Sequence, residues 1–326
     1  MAAALDRSTL VCTGVGMTGP PHFGTVGQIL TAVELQEAGL DVQFVLADLE
    51  PYHGGADWER VRGLAERYRT FALDLGFDPD RGALRAQSES RDVMHTAERL
   101  APYYGPEEWP DGPGHEPTDW ERAVERAYER GDSGRGETES ETGGETESET
   151  DGEGDGRRDW LDDGSTSAAA DAHSAVLHGA DFLHPLFAGE YDQVVIALGV
   201  DEHGLTPWTR RFRDAAPVSG PVAGLHTRLV PGLAGAPKMS KSIDAGLSLD
   251  AGPDAVRDQV LGSADAGDPD SSPTFQAMCL ASRYDSNRLD RLASACVAGD
   301  EAWRDAKREY ADSVADLAAR WRATGE

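Results

Sequence analysis

The segment richest in chemistry is Lys238-Met239-Ser240-Lys241-Ser242. Lysine occurs elsewhere only at Lys307, the remaining basic residues being arginine, so two of three lysines share one loop behind Gly-Leu-Ala-Gly-Ala-Pro. A lysine carries a compact charge on a flexible stem, which suits a loop that closes over a polyphosphate and neutralises charge as it builds there. The serines add neutral donors. A plain solvent-exposed basic turn would show the same spacing, but a composition that otherwise avoids lysine makes that the poorer account.

A second stretch, Thr18-Gly19-Pro20-Pro21-His22-Phe23-Gly24-Thr25, joins a β-branched run over 8–13, ending at Gly14, to Val26, Ile29, Leu30 and Val33 at helical spacing. Glycines there let backbone approach a phosphate. A helix beginning near Gly24 would aim its free N–H groups and positive dipole end at that phosphate, and His22 can donate to it as well. Alone, such a turn is as readily a tight connection. Beside the lysine loop it specifies a phosphate chain.

These two stretches must be held by a larger frame. A second strand is expected over 42–48, followed by a helix capped at Asp57, with Val61, Leu64, Tyr68, Phe71 and Leu75 on one face and Gly76 after it. The first helix should stop at Gly39. Another buried strand is expected over 193–199, then a helix entered through Thr206 and Pro207. The alternation predicts an α/β fold built on a parallel sheet. Between these halves, residues 131–158 repeat Gly-Glu-Thr-Glu-Ser-Glu-Thr and hold no large apolar residue, which predicts a disordered acidic insert with no catalytic role. Beyond residue 242 the pattern turns helical, with Trp303, Tyr310, Val314, Leu317 and Trp321 forming an apolar stripe read as core. Two domains are therefore expected, a catalytic one over 1–242 and an all-α one over 243–326.

The chain's 326 residues, 39% of them hydrophobic, are enough for a large core and a smaller one. Neither a secretory start nor a membrane-spanning run is present in them, so a soluble cytoplasmic protein is expected. Cys12, Cys279 and Cys296 lack metal-ligand spacing, and no protein-held metal is expected. The net charge of −29 arises from 59 acidic against 30 basic residues. With so little lysine, that surface fits a halophilic cytoplasm, because the Debye length shrinks to about 3 Å at 1 M salt and self-repulsion is screened. An acidic protein that repels nucleic acid at ordinary salt would have the same sign. Any RNA partner would need local basic patches and recognition of shape.

Together these residues resemble a known family. His22, Phe23 and Gly24 resemble the first three positions of the HIGH signature of class I aminoacyl-tRNA synthetases, and residues 238–242 match that family's KMSKS signature throughout. Residues 45–55, 85–90, 177–185 and 198–204 are similar to segments of the tryptophanyl/tyrosyl branch. The resemblance implies a Rossmann-like catalytic domain with a helical anticodon-binding-like domain, ATP bound with Mg²⁺, and an adenylated amino acid passed to tRNA. It implies that His22, Lys238 and Lys241 are catalytic, and that Thr13, Gly14, Thr18, Gly24, Thr25, Gly199, Asp201, Met239, Ser240 and Ser242 join them around the nucleotide. His178, Asp181 and Glu202 would hold the amino acid, Asp181 accepting from an indole N–H or a phenolic O–H. Thr25 replaces the second signature histidine, and Glu202 stands where glutamine is usual. Arg304, Lys307, Arg308, Arg320 and Arg322 are candidate tRNA phosphate contacts, and a homodimer is implied. Residues 47–55 and 177–181 look more like the tryptophanyl branch. Tyrosyl specificity, a paralogue that adenylates without charging tRNA, and a non-catalytic nucleotide-binding protein stay open.

Overall fold

A computed structural model describes residues 8–105, 122, 168–233, 239, 247–263 and 267–325. The acidic segment 131–158 lies outside the described residues.

Alternating apolar stretches produce five strands, β1 (Thr9–Gly16), β2 (Asp41–Ala47), β3 (Gly82–Ala86), β4 (Gln193–Gly199) and β5 (Val222–Thr227). They form one sheet in the order β3-β2-β1-β4-β5, every pairing parallel. The chain thus winds from β1 outward to β3, then returns to lay β4 on the other side of β1. That reversal defines a topological switch point at the carboxyl ends of β1 and β4, the place where open α/β sheets take ligands. This is the α/β, Rossmann-like architecture expected from the sequence.

Strand residues alternate between two cores. Val11, Val42, Phe44 and Leu46 face α1 (Phe23–Glu37) and α3 (Trp58–Asp74), while α2 (Leu49–His53) is a short connector. Leu10, Cys12, Val194, Ile196 and Leu198 face α4 (Arg91–Leu100), α5 (Ala168–Phe187) and α6 (Leu205–Ala215). The helix start at Asp57 is as expected, its carboxylate accepting from the Arg60 N–H at 2.8 Å. Gly39 and Gly76 follow their helices with φ of 97° and 107°, a conformation costly for any residue with a Cβ.

Two boundaries differ from the sequence reading. The first strand runs on past Gly14 to Gly16, because Gly14, Val15 and Gly16 keep their register with Val45, Leu46 and Ala47. A Cβ on Gly14 would sit 2.5 Å from the Val45 carbonyl oxygen, so the close approach of β1 to β2 itself requires glycine. The helix expected to enter through Thr206 instead begins at Leu205 with Gly204 as its cap, leaving Thr206 and Pro207 inside the first turn.

After β5 the described chain is helical: α7 (Pro253–Gly262), α8 (Pro273–Leu280), α9 (Ser286–Ala298) and α10 (Glu301–Ala323). Trp303, Tyr310, Val314 and Trp321 are buried as core residues, with Leu317 at the edge. They pack onto α1 and α3 in one continuous core, the Trp321 ring lying 5.0 Å from Tyr68 and 5.5 Å from Phe71, and Tyr310 lying 5.8 Å from Phe23. Gly27 lets α8 close on α1, since a Cβ there would fall 2.3 Å from Leu280 Cγ. Among the described residues no helix is long and apolar enough to cross a membrane.

Candidate active site

The site grows from where β1 and β4 separate. Their pairing ends at Cys12 and Ile196, yet β1 continues to Gly16 against β2, and β4 continues to Gly199 against β5. Two lips result. One carries residues 13–16 and the turn leading to α1; the other carries Ala197, Leu198 and Gly199, then the 3-10 turn Val200–Glu202.

On the first lip, His22 is the N-cap of α1, with extended backbone (φ −117°, ψ 179°). Its Nδ1 accepts from the Thr25 N–H at 3.3 Å. A nitrogen that accepts is unprotonated, so the neutral ring carries its proton on Nε2 and keeps a donor there. Gly24 makes room for the ring, because a Cβ at that position would lie 2.9 Å from His22 Cε1. Thr18 is exposed, whereas Thr13 and Thr25 are buried. The Thr13 hydroxyl accepts from Gln28 Nε2 at 3.0 Å, and the Thr25 side chain bonds Tyr68, whose hydroxyl donates to the Gly19 carbonyl at 2.9 Å. Thr13 and Thr25 therefore support the turn from within. Burial raises the Tyr68 hydroxyl pKa well above its usual range, keeping it protonated as that donor.

On the second lip, a Cβ at Gly199 would collide with Asp201 Oδ1 at 2.3 Å, so glycine allows the carboxylate to fold back over the strand end. Asp201 is half-buried and Glu202 exposed. Beside them on β5, His226 has its pKa lowered by burial and then by the neighbouring His203.

Of the lysine segment, only Met239 falls among the described residues; Lys238, Ser240, Lys241 and Ser242 lie outside them. Met239 is buried, and its N–H donates to the Val230 carbonyl at 2.7 Å. Farther along, the Leu249 N–H donates to the Pro21 carbonyl at 3.0 Å. The chain after the lysines is thus tied to the residue preceding His22.

Under the sheet on the α4/α5 side lies a buried polar network. Asp181 on α5 is 3% exposed, its Oδ1 2.6 Å from Arg85 Nη2 and its Oδ2 2.7 Å from Gln87 Nε2. Gln43 Nε2 donates to the Asp181 carbonyl at 2.8 Å, and Arg85 also reaches Ser90 Oγ at 3.0 Å. Burial pushes the nearby Cys12 thiol up to about 12, an effect that Arg85 partly offsets. His178, one turn before Asp181, stacks at a tilt on Phe182 at 5.3 Å. Sequence reasoning singled out Asp181 and His178 but missed Gln43, Arg85 and Gln87 as individuals. The available signal was β-strand alternation, which puts a polar Gln43 and a charged Arg85 on an inward face.

Comparison with known proteins bears on this arrangement. Residues 5–103 match the family model described as tRNA synthetases class I (W and Y). Over those residues the chain is similar to that family. Its similarity to tryptophan--tRNA ligase 1 of Halobacterium salinarum is 35% identity over 103 residues, which is 31% of this chain and only a fifth, 20%, of that protein. The match to the Methanopyrus kandleri tryptophan--tRNA ligase is longer and weaker, at 24% identity over 94% of this chain and 74% of that protein. In fold, the chain is similar to the tryptophanyl-tRNA synthetase of Aeropyrum pernix (TM-score 0.71, 18% identity, covering 99% of this chain and 81% of that one). It is also similar to the Archaeoglobus fulgidus tyrosyl-tRNA synthetase complexed with L-tyrosine (TM-score 0.64, 19% identity, covering 98% and 90%).

Proposed function

We propose that this protein activates an aromatic amino acid, tryptophan by preference, with ATP and transfers it to tRNA. The observation that carries the reading is the parting of β1 and β4, which sets the His22 turn and the Gly199–Asp201 corner on opposite lips of one cleft.

In this reading ATP lies across the cleft with Mg²⁺, which neutralises phosphate charge. His22 donates Nε2–H to the triphosphate, while Lys238 and Lys241 add charge from the loop whose far side is tied at Leu249 to Pro21. Gly14, Thr18 and Gly24 line the nucleotide, Thr13 and Thr25 brace the turn, and Met239, Ser240 and Ser242 complete the loop. Gly199 and Asp201 take the ribose, Glu202 accepts from the α-ammonium with charge assistance, and His178 and Asp181 belong to the ring pocket. The amino-acid carboxylate attacks the α-phosphorus in line, forming a new P–O bond as the bond to pyrophosphate breaks. No covalent enzyme intermediate is required, and rate enhancement comes from positioning and preorganised charge.

The adenylate would then pass to the terminal ribose of tRNA, with residues 243–326 as the anticodon-binding part and Arg304, Arg308 and Arg322 as exposed phosphate contacts. The acidic, lysine-poor composition supports work in a salt-rich cytoplasm, and the family resemblance supports a homodimer.

The test is exchange of labelled pyrophosphate into ATP, in multimolar KCl, with each aromatic amino acid in turn, followed by charging of homologous tRNA. Exchange driven by tryptophan, with charging, supports the whole reading. Exchange without charging limits it to a paralogue, exchange driven only by tyrosine reverses the specificity, and ATP binding without exchange leaves a non-catalytic protein.

A further inference from the structure

Trp321, in the last turn of α10, is fully buried, and its indole N–H is the one polar group of the side chain. That N–H donates at 2.8 Å to Oδ1 of Asp250, in the 3-10 turn Leu249–Ala251. Arg67 of α3 closes the cluster. Its guanidinium lies 4.1 Å from the centre of the Trp321 ring, its Nη2 is 3.3 Å from the same Asp250 oxygen, and its Nε donates to Thr324 Oγ1 at 3.3 Å. Packing alone would ask only for a flat ring here, which phenylalanine supplies. The hydrogen bond to an exposed carboxylate, which water could solvate equally well, asks for tryptophan.

Two routes run from Trp321 to the turn that carries His22. Along the first, the residue before Asp250 is the buried Leu249, whose N–H donates to the Pro21 carbonyl at 3.0 Å. Along the second, the Trp321 ring lies 5.0 Å from Tyr68, whose hydroxyl donates to the Gly19 carbonyl at 2.9 Å and also bonds the Thr25 side chain. Gly19 and Pro21 precede His22, and Thr25 gives its N–H to His22 Nδ1. The turn is therefore held from behind at Gly19, Pro21 and Thr25. Trp321 braces both holders, Tyr68 by ring contact and Leu249 through Asp250.

We infer that Trp321 is a positioning residue for the His22 turn, acting through Tyr68 and Asp250 to fix where the imidazole stands when the amino acid is adenylated. This deepens the amino-acid activation reading and rests on it. The effect passes through packed and hydrogen-bonded neighbours rather than through contact with a substrate. Misplacing a positioned group by about 1 Å can cost roughly 10²-fold in rate, so the loss is expected in kcat. The KM for tryptophan, whose pocket the activation reading puts at His178 and Asp181, should stay where it is.

The experiment measures pyrophosphate exchange with tryptophan, in multimolar KCl, for Trp321→Phe, Asp250→Ala and Asp250→Asn. Trp303→Phe is the control for losing a buried indole from the same helix. Trp321→Phe and Asp250→Ala should each lower kcat by roughly 10-fold with the KM for tryptophan unchanged. Asp250→Asn, which keeps an oxygen for the indole N–H, should restore most of the rate, and Trp303→Phe should keep the wild-type kcat. Adding Trp321→Phe to His22→Asn decides the route: if the effect passes through His22, the added change should cost less than about 2-fold. Asp250 is exposed, so its variants carry the test even where Trp321→Phe melts below the assay temperature. A wild-type kcat in Asp250→Ala or in a folded Trp321→Phe overturns the inference. So does a loss that persists undiminished on the His22→Asn background, or an equal loss in Trp303→Phe. A wild-type protein that exchanges with no aromatic amino acid removes the activation reading first, and this inference with it.

Discussion

His22 Nδ1 accepts the Thr25 backbone N–H, so the imidazole caps α1 through one nitrogen and the proposed contact with ATP falls to the other. These two roles separate by substitution. His22→Asn keeps a side-chain cap and should leave the melting temperature nearly unchanged, while kcat for exchange falls by about 10²–10³, the usual loss for one preorganised donor. His22→Ala should lose both, with about 1 kcal/mol of stability lost along with the cap. Equal activity in all three proteins would remove His22 from the chemistry.

The Arg85–Asp181 pair is the most buried ion pair among those described. Removing one partner strands a charge, so Arg85→Met should destabilise the fold by about 3–5 kcal/mol. The exposed pair of Arg283 and Glu37 is the contrast: Arg283→Gln should cost less than about 1 kcal/mol. Chemical denaturation of both variants checks this. Similar losses would mean that burial is not what sets the value of these pairs.

Lys307 corrects an expectation from sequence. It is only 5% exposed, and its Nζ donates to the Ser263 carbonyl at 2.6 Å, closing the end of α7. Buried there, it cannot be a surface contact for tRNA phosphate. Lys307→Met should lower stability by about 1–3 kcal/mol through the orphaned carbonyl while leaving the salt dependence of tRNA binding unaltered. Of the other four candidates, Arg320 is tied to Asp74 at 2.6 Å and Arg308 pairs with Asp305. A reduced salt slope for Lys307→Met would contradict its structural role.

Burial lowers the pKa of His184, whose Nδ1 lies 2.8 Å from Thr96 Oγ1. The folded state therefore favours the neutral ring, whereas the unfolded chain takes up a proton near the ordinary value of 6.5. As pH falls below that value the unfolded state binds more protons, so the stability from this residue is complete above it and is lost towards the lower folded pKa. The melting-temperature gap between wild type and His184→Asn should narrow between pH 7.5 and 5.5. A gap that widens would reverse the sign of the shift.

Much of this was legible in the sequence where local chemistry decided the outcome. The Asp57 cap, the strand at 193–199 and the apolar stripe of the last helix follow from hydrogen bonding and periodicity within a few residues. What escaped depended on chain segments far apart. The Gln43–Arg85–Asp181 network joins two strands and a helix, and no spacing rule pairs positions 85 and 181. Likewise Lys307 reads as a surface cation in an amphipathic helix until the Ser263 carbonyl is seen beneath it. The roles of Thr13 and Thr25 were similarly hidden, since a threonine in a glycine-rich turn has the same appearance whether it faces ligand or core.

The central claim is that an aromatic amino acid attacks the α-phosphorus of ATP in the cleft between β1 and β4. It is tested most directly by following ATP labelled in its α-phosphate, with tryptophan, enzyme in substrate amounts and no tRNA. The account predicts that label moves into tryptophanyl-adenylate to about one equivalent per active site, the level set by a tightly held intermediate, and that His22→Asn slows its appearance. Label that stays in ATP, or that emerges as AMP at the same rate with and without the amino acid, would contradict it.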